Sequence, residues 1–176
     1  MRYETNTIKT YPTPANFAGV FIFGNACLHL SYLCTMTTIQ KPIQEIEDEI
    51  VEEFSDFEDP MDKYEYIIDQ GKLLPPLDPQ YMTDDFMVRG CQSKVWLRAY
   101  KEGDRMMIQV DSNTAITKGI VALLWRVLNN QKPADILASN LDFIERTGLR
   151  SHLSSQRSNG LSAMIVKIRH YATMLQ

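Results

Sequence analysis

Between Thr38 and Phe57 the apolar residues Ile43, Ile46, Ile50, Phe54 and Phe57 step by three and four, with acids at most positions between them. This spacing predicts a helix with one apolar stripe on an otherwise acidic surface. The next helix is punctuated at both ends. Asp59 is placed to cap it, Pro60 suits its first position, and Gly71 suits the residue just past its end. Its expected buried face is Met61, Tyr64, Ile67 and Ile68. Over 73–85, Pro75, Pro76 and Pro79 exclude a continued regular element.

The period then shortens to two. Val95, Leu97 and Ala99 alternate with Trp96, Arg98 and Tyr100, and residues 105–110 can pair back across Glu102-Gly103-Asp104 as a hairpin. Residues 86–88 are a short stretch that reads as a third, weaker strand. Helical spacing returns near Ser112 or Asn113 with Ile116, Ile120, Leu123, Leu124 and Val127. It returns again from about Ser155 with Leu161, Met164, Ile165, Ile168, Tyr171, Ala172 and Leu175, and short helices are expected at 133–138 and 141–147. Gly119 costs its helix about 1 kcal/mol against alanine, which points to close packing against the sheet; Trp96 is expected in the core. Helices, a strand meander and more helices make an α+β fold in two layers, with a three-stranded antiparallel sheet packed against several α-helices.

Composition changes this outline little. The chain has 176 residues, 44% hydrophobic and 23% charged, enough for a real core and against intrinsic disorder. Charge says more. The formal balance of −4 gives no basic footprint for nucleic acid. Residues 41–62 hold ten acids against the one base Lys41, whereas 63–176 hold eleven acids and fifteen bases. The acidic segment suits a solvated helix face or an acidic docking surface. Three cysteines, Cys27, Cys34 and Cys91, do not make a disulfide framework and fit a reducing, cytoplasmic setting.

From Ala15 to Cys34 no residue is charged, but Asn16, Asn25, His29, Ser31 and two glycines interrupt the run. It suits neither a membrane helix of about 20 predominantly apolar residues nor a signal peptide. Residues 1–35 are therefore expected to be an extension, disordered or arising from an upstream start, with Met36 as the natural start and 36–176 as the domain.

The familiar catalytic motifs are missing: no P-loop, G-x-G-x-x-G, G-x-S-x-G or H-E-x-x-H occurs. His29, His152 and His170 are far apart, and Cys27, His29 and Cys34 fall short of the four ligands of a closed zinc site. Arg98 follows Cys91 one residue too late for a phosphatase loop. Cys91 itself has two readings. It is a small buried hydrophobe, or a reactive thiol on a loop between strands, made tight by Gly90 and tuned towards the thiolate by Arg89 and Lys94.

Gly90-Cys91-Gln92-Ser93-Lys94-Val95-Trp96-Leu97 resembles the signature of SufE, the sulfur-acceptor family of iron–sulfur cluster assembly. Asp111-Ser112-Asn113-Thr114-Ala115-Ile116-Thr117-Lys118-Gly119-Ile120 is similar to a second block of that family. Leu153-Ser154-Ser155-Gln156-Arg157-Ser158-Asn159-Gly160-Leu161-Ser162-Ala163-Met164 is similar to a third. Lys63-Tyr64-Glu65-Tyr66-Ile67-Ile68-Asp69-Gln70-Gly71 with Leu74-Pro75 adds a fourth. The likeness runs from about Met36 to the C-terminus; Thr117 stands where the family often has valine, and Ser154 where it often has threonine-proline.

The resemblance implies a SufE/NifU-like fold and a sulfur acceptor that activates a pyridoxal-phosphate cysteine desulfurase of the SufS type. Sulfur would be held as a persulfide on Cys91 and delivered to a SufBCD-like scaffold; a thiolate attacking sulfur is all the chemistry required. Arg157 would orient the loop or stabilise its negative charge, or else be a solvated helix-start arginine. Gln92, Lys118 and Asp111 complete the supporting residues, with helix capping as the other reading of Asp111. The chain itself is expected to need no cofactor and no metal, to bind neither nucleic acid nor membrane, and to leave room for a homodimer. The alternatives are a CsdE-like paralogue serving another desulfurase, a NifU-like cluster scaffold, and a docking module with an inert cysteine.

Overall fold

A computed structural model describes residues 40–176. The expected extension at 1–35, with Cys27, His29 and Cys34, lies outside the described residues. The acidic stripe folds as α1 (Ile43–Ser55), burying Ile46, Ile50 and Phe54. In α2 (Pro60–Lys72) Pro60 is the first residue and the Asp59 carboxylate accepts the Met61 N–H at 2.8 Å. Of its expected buried face, Ile67 is buried, Tyr64 and Ile68 are half-buried, and Met61 is exposed. Gly71 does not end the helix. It lies within α2, where a Cβ would stand 2.8 Å from the Gly119 backbone nitrogen.

After a proline-bounded loop with one 3-10 turn (Pro79–Tyr81), β1 (Val95–Glu102) and β2 (Arg105–Ser112) form an antiparallel hairpin in register from Val95↔Ser112 to Glu102↔Arg105. The sheet has two strands, not three. Residues 86–88 meet β1 only at an isolated Met87↔Trp96 bridge, through Val88 N–H to the Val95 carbonyl (2.8 Å) and Leu97 N–H to the Phe86 carbonyl (2.9 Å). A turn that closes Phe86 onto Thr83 and Met87 onto Asp84 precedes this contact, and Gly90 at φ +93° follows it, so no length remains for a ladder. On the other side β2 is covered by 129–131: Asn129 Oδ1 accepts the Ile108 N–H at 2.7 Å and Met106 bridges Gln131. This leaves the hairpin without a free outer edge there.

The alternation sorts the strand as expected on one face, with Val95 and Leu97 fully buried. Trp96 is only half-buried and stands outside the core, because its face carries Arg98 stacked on Tyr81 and Tyr100 rather than a helix. The core lies between the hairpin's inner face and the helices α3 (Ala115–Leu128) and α6 (Ser155–Met174). From α3 it takes Ile120, Leu123, Leu124 and Val127, and from α6 it takes Leu161, Met164, Ile168 and Ala172. Each large apolar side chain among them contributes about 1.5–3 kcal/mol of burial. Two short helices, α4 (Pro133–Ala138) and α5 (Phe143–Arg146), connect them through buried Ile136, Phe143 and Ile144. Gly119 does mark a close approach, but against α2 and not the sheet: a Cβ there would lie 1.9 Å from the Ile67 carbonyl oxygen.

Candidate functional site

Cys91 sits on the loop between Val88 and β1 and is half-buried. The loop is held at both ends. Before it, Lys167 of α6 donates to the Met87 carbonyl (2.9 Å). After it, Ser93 Oγ accepts from Thr114 Oγ1 (2.9 Å) and Thr117 Oγ1 (3.1 Å), and Lys94 N–H donates to Asn113 Oδ1 (2.9 Å). Between these anchors Arg89, Gly90 and Gln92 are exposed, and Gly90 takes a left-handed φ of +93° that suits glycine.

The thiol itself rests on the first turns of α6. Sγ lies 3.5 Å from the Gly160 carbonyl oxygen, a weak S–H bond. The absence of a side chain at residue 160 makes this approach easy: a Cβ would stand 3.0 Å from Sγ, tighter than an ordinary contact. Beside the sulfur is a void of about 10 Å³ lined by Cys91, Gln92, Ser93, Thr117, Arg157 and Gly160 among others. That is room for about one water molecule, or one atom of comparable size attached to the thiol.

Burial alone pushes the Cys91 thiol above its ordinary pKa. The expected tuning towards the thiolate by Arg89 and Lys94 is therefore not found. Both are exposed, and the Arg89 charge acts instead on Lys167, whose pKa is lowered by burial and by that charge. Seated against α6, the sulfur is favoured as the neutral thiol.

Of the supporting residues, Gln92 and Arg157 come together with Cys91 in the cavity wall. Arg157 is half-buried and, among the described residues, makes no hydrogen bond or ion pair. Lys118 and Asp111 do not line the cavity; they pair with each other at 2.7 Å. Asp111 Oδ1 also accepts the Ser112 N–H at 2.7 Å, so it closes the turn from β2 into α3, while Thr114 occupies the N-cap position. Sequence reasoning missed Ser93, Thr117 and Gly160. Gly160 had a readable signal, a glycine inside a helix that must be explained by a close approach. Thr117, buried at 4% exposure, had none, since its partner Ser93 is 24 residues away.

The family model for SufE, described as an Fe-S metabolism associated domain, matches residues 48–172. The chain belongs to the SufE family. Its relatives include SufE-like protein 1, chloroplastic/mitochondrial, of Arabidopsis thaliana, 37% identical over 140 residues, covering 77% of this chain but 38% of that protein. An uncharacterised SufE-like protein of Rhizobium etli is 36% identical over 71% of this chain and 88% of its own length. One from Synechocystis is 40% identical over 63% of this chain and 70% of its own. The solution structure of a hypothetical protein from Thermus thermophilus shares the fold, with a TM-score of 0.63 at 18% identity over 74% of this chain and 95% of that one. SufE membership places the chain in iron–sulfur metabolism. No helix among the described residues is long and apolar enough to cross a membrane.

Proposed function

We propose that this SufE-family chain accepts sulfur from a SufS-like, pyridoxal-phosphate cysteine desulfurase, carries it as a persulfide on Cys91, and delivers it to a SufBCD-like cluster scaffold in the cytoplasm. The observation that carries this reading is the seat of Cys91: a thiol on a loop that Gly90 enters at φ +93°, beside a void of about 10 Å³ and the Arg157 guanidinium, which is unpaired among the described residues. In the transfer, the Cys91 thiolate attacks the terminal sulfur of the desulfurase's persulfide. A new S–S bond forms at Cys91, the old S–S bond breaks, and the desulfurase cysteine leaves as a thiolate that takes up the proton Cys91 gave away.

Because burial keeps the resting thiol protonated, the attacking thiolate forms once the loop lifts from Gly160 and Sγ meets water or the partner's charge. Arg157 then stabilises the negative persulfide that returns to the cavity. The desulfurase supplies the pyridoxal phosphate, and this chain supplies the sulfur seat and the moving loop.

The test is intact-protein mass spectrometry after incubation with desulfurase and cysteine, with desulfurase turnover measured in parallel. A sulfur adduct lost in Cys91→Ser, together with loss of turnover stimulation, is the expected result. Full stimulation by Cys91→Ser would exclude transfer and leave a docking module. Iron and sulfide bound after anaerobic reconstitution would instead indicate a scaffold.

A further inference from the structure

Away from the cysteine, α1, the end of α4 and the start of α5 enclose a cleft of about 250 Å³ that shares no residue with the Cys91 cavity. Glu47 lines it and is 2% exposed, yet its Oε1 has no hydrogen-bond partner among the described residues. A buried carboxylate oxygen without a partner is costly. Burial and the neighbouring Asp142 charge push the Glu47 carboxyl above its usual range, against the backbone N–H groups of Phe143 and Asp142 that favour its ionised form. Asp135 and Asp142 add two exposed carboxylates to the same walls. Among the described residues no cation bonds any of the three; Arg146, whose charge reaches Glu47, is bonded to Asp48.

The walls are fixed. Arg169 of α6 holds the Ser139 carbonyl at 2.7 Å, and Leu141 is fully buried at a left-handed φ of +60°, a strained conformation for a bulky residue. The cleft is thus preformed and negative, with an orphaned acceptor in its wall.

Three ligand classes compete for such a cleft. Among the described residues no three metal-ligating side chains are arranged to hold an ion. The volume lies below the roughly 300–1,000 Å³ of small-molecule sites and matches a single long side chain. Acceptors from three separate elements, with the Ser139 and Asn140 side chains beside them, suit the five fixed donors of a guanidinium better than a point charge. We propose that this cleft receives an arginine side chain presented by a partner protein, as a docking anchor separate from the sulfur site.

The probe is N-acetyl-arginine methylamide, which isolates the guanidinium, titrated into the full chain and followed by backbone amide shifts. The expected result is saturable millimolar binding confined to amides of 44–47 and 139–142, absent with the neutral citrulline analogue. Glu47→Gln should weaken it about tenfold, the loss of one charge-assisted hydrogen bond. Should Glu47→Gln melt early, the Asp135→Asn/Asp142→Asn pair on exposed positions must give the same weakening. No saturable shift, equal shifts with citrulline, tighter binding of the lysine analogue, or full binding by both variants would each overturn the proposal. None of these outcomes touches Cys91, so sulfur acceptance stands or falls separately.

Discussion

Both ends of α3 meet other elements, and the two junctions are built differently. From its second turn to its last, α3 meets α1 and α2 through backbone and charge. Gly119 lies against the Ile67 carbonyl, and Arg126 holds Glu53 with two bonds (2.7 and 2.9 Å), Tyr66 Oη (3.0 Å) and Gln70 (3.0 Å). Burial opposes ionisation of Glu53, and the bonds from Arg126 and Tyr66 overcome it, so its carboxyl titrates below the usual range. At its first turn α3 holds the Cys91 loop through neutral groups, the Thr114 and Thr117 hydroxyls on Ser93 and the Asn113 amide oxygen on the Lys94 N–H, and across the cavity the thiol makes one weak contact to Gly160. Neutral hydrogen bonds of that kind contribute about 1 kcal/mol each. The proposed transfer, in which one loop leaves and returns while the rest keeps its shape, needs this asymmetry, since mobile segments come from the weakly held end of the stability range.

The comparison breaks most visibly at the rigid junction. Gly119→Ala forces a methyl group against backbone rather than a yielding side chain. Overpacking of this kind costs about 3 kcal/mol or more, a large part of the stability of a small domain. The expected outcome is a fall of that size in a urea unfolding curve, with the slope preserved. A change below about 1 kcal/mol would mean that α2 and α3 separate easily, and the contrast between the junctions would fail.

Those two junctions also show how much is legible in the sequence. The apolar periods locate every long helix and sort the faces of β1, because burial leaves its period in the sequence. Asp59 and Pro60 are readable as a helix start since a cap acts within three residues. Gly71 reads wrongly as a helix end and Gly119 wrongly as a contact with the sheet because a glycine reports that something comes close, without saying what. The third strand fails on length, and Trp96 on the lack of a helix over its face. At the site, Cys91 and its loop are visible through the family likeness. The sign of its pKa shift is not, because flanking basic residues show in sequence while the desolvation by α6 is a property of tertiary packing.

The soft junction is probed by filling the space under the thiol. In Gly160→Ala the new methyl would stand 3.0 Å from Sγ, and the loop can move away at little cost to the core. Stability should change by less than about 1 kcal/mol, while iodoacetamide alkylation of Cys91 near pH 8 rises several-fold, because an unseated thiol loses its desolvation. The wild-type seat has a pH signature of known sign. A thiol whose pKa is raised by folding contributes stability that is fully present below the unfolded cysteine's value of about 8.5 and is lost as pH rises through the folded value. The wild type should therefore lose stability above about pH 8.5 more steeply than Cys91→Ser. Parallel curves would show that the seat does not discriminate thiol from thiolate.

Arg157 tests whether the cavity does more than shelter the sulfur. Since it has no partner among the described residues, Arg157→Ala should leave the stability within about 0.5 kcal/mol of the wild type. Sulfur acceptance should slow by about tenfold with desulfurase affinity unchanged, the size of one charge interaction removed from the persulfide state. Arg157→Lys should restore part of the rate if charge is what matters. Equal rates for all three proteins would leave Arg157 as a solvated helix-start residue and remove it from the site.

The smallest expected effect comes from deleting residues 1–35. The described fold ties down its own beginning: Gln131 Nε2 donates to the Lys41 carbonyl at 2.8 Å and Asn130 Nδ2 to Gln40 Oε1 at 3.2 Å. A chain beginning at Met36 keeps both contacts and every residue of the Cys91 seat. It also loses Cys27 and Cys34, leaving Cys91 as the only thiol. Melting temperature and desulfurase-dependent sulfur uptake are both expected to match the full chain, and a single sulfur adduct then assigns itself to Cys91 without peptide mapping. A lower melting temperature would show that the first 35 residues pack on the domain. Unchanged melting with lost uptake would place them at the desulfurase interface, and the sulfur-transfer unit would then have to include them.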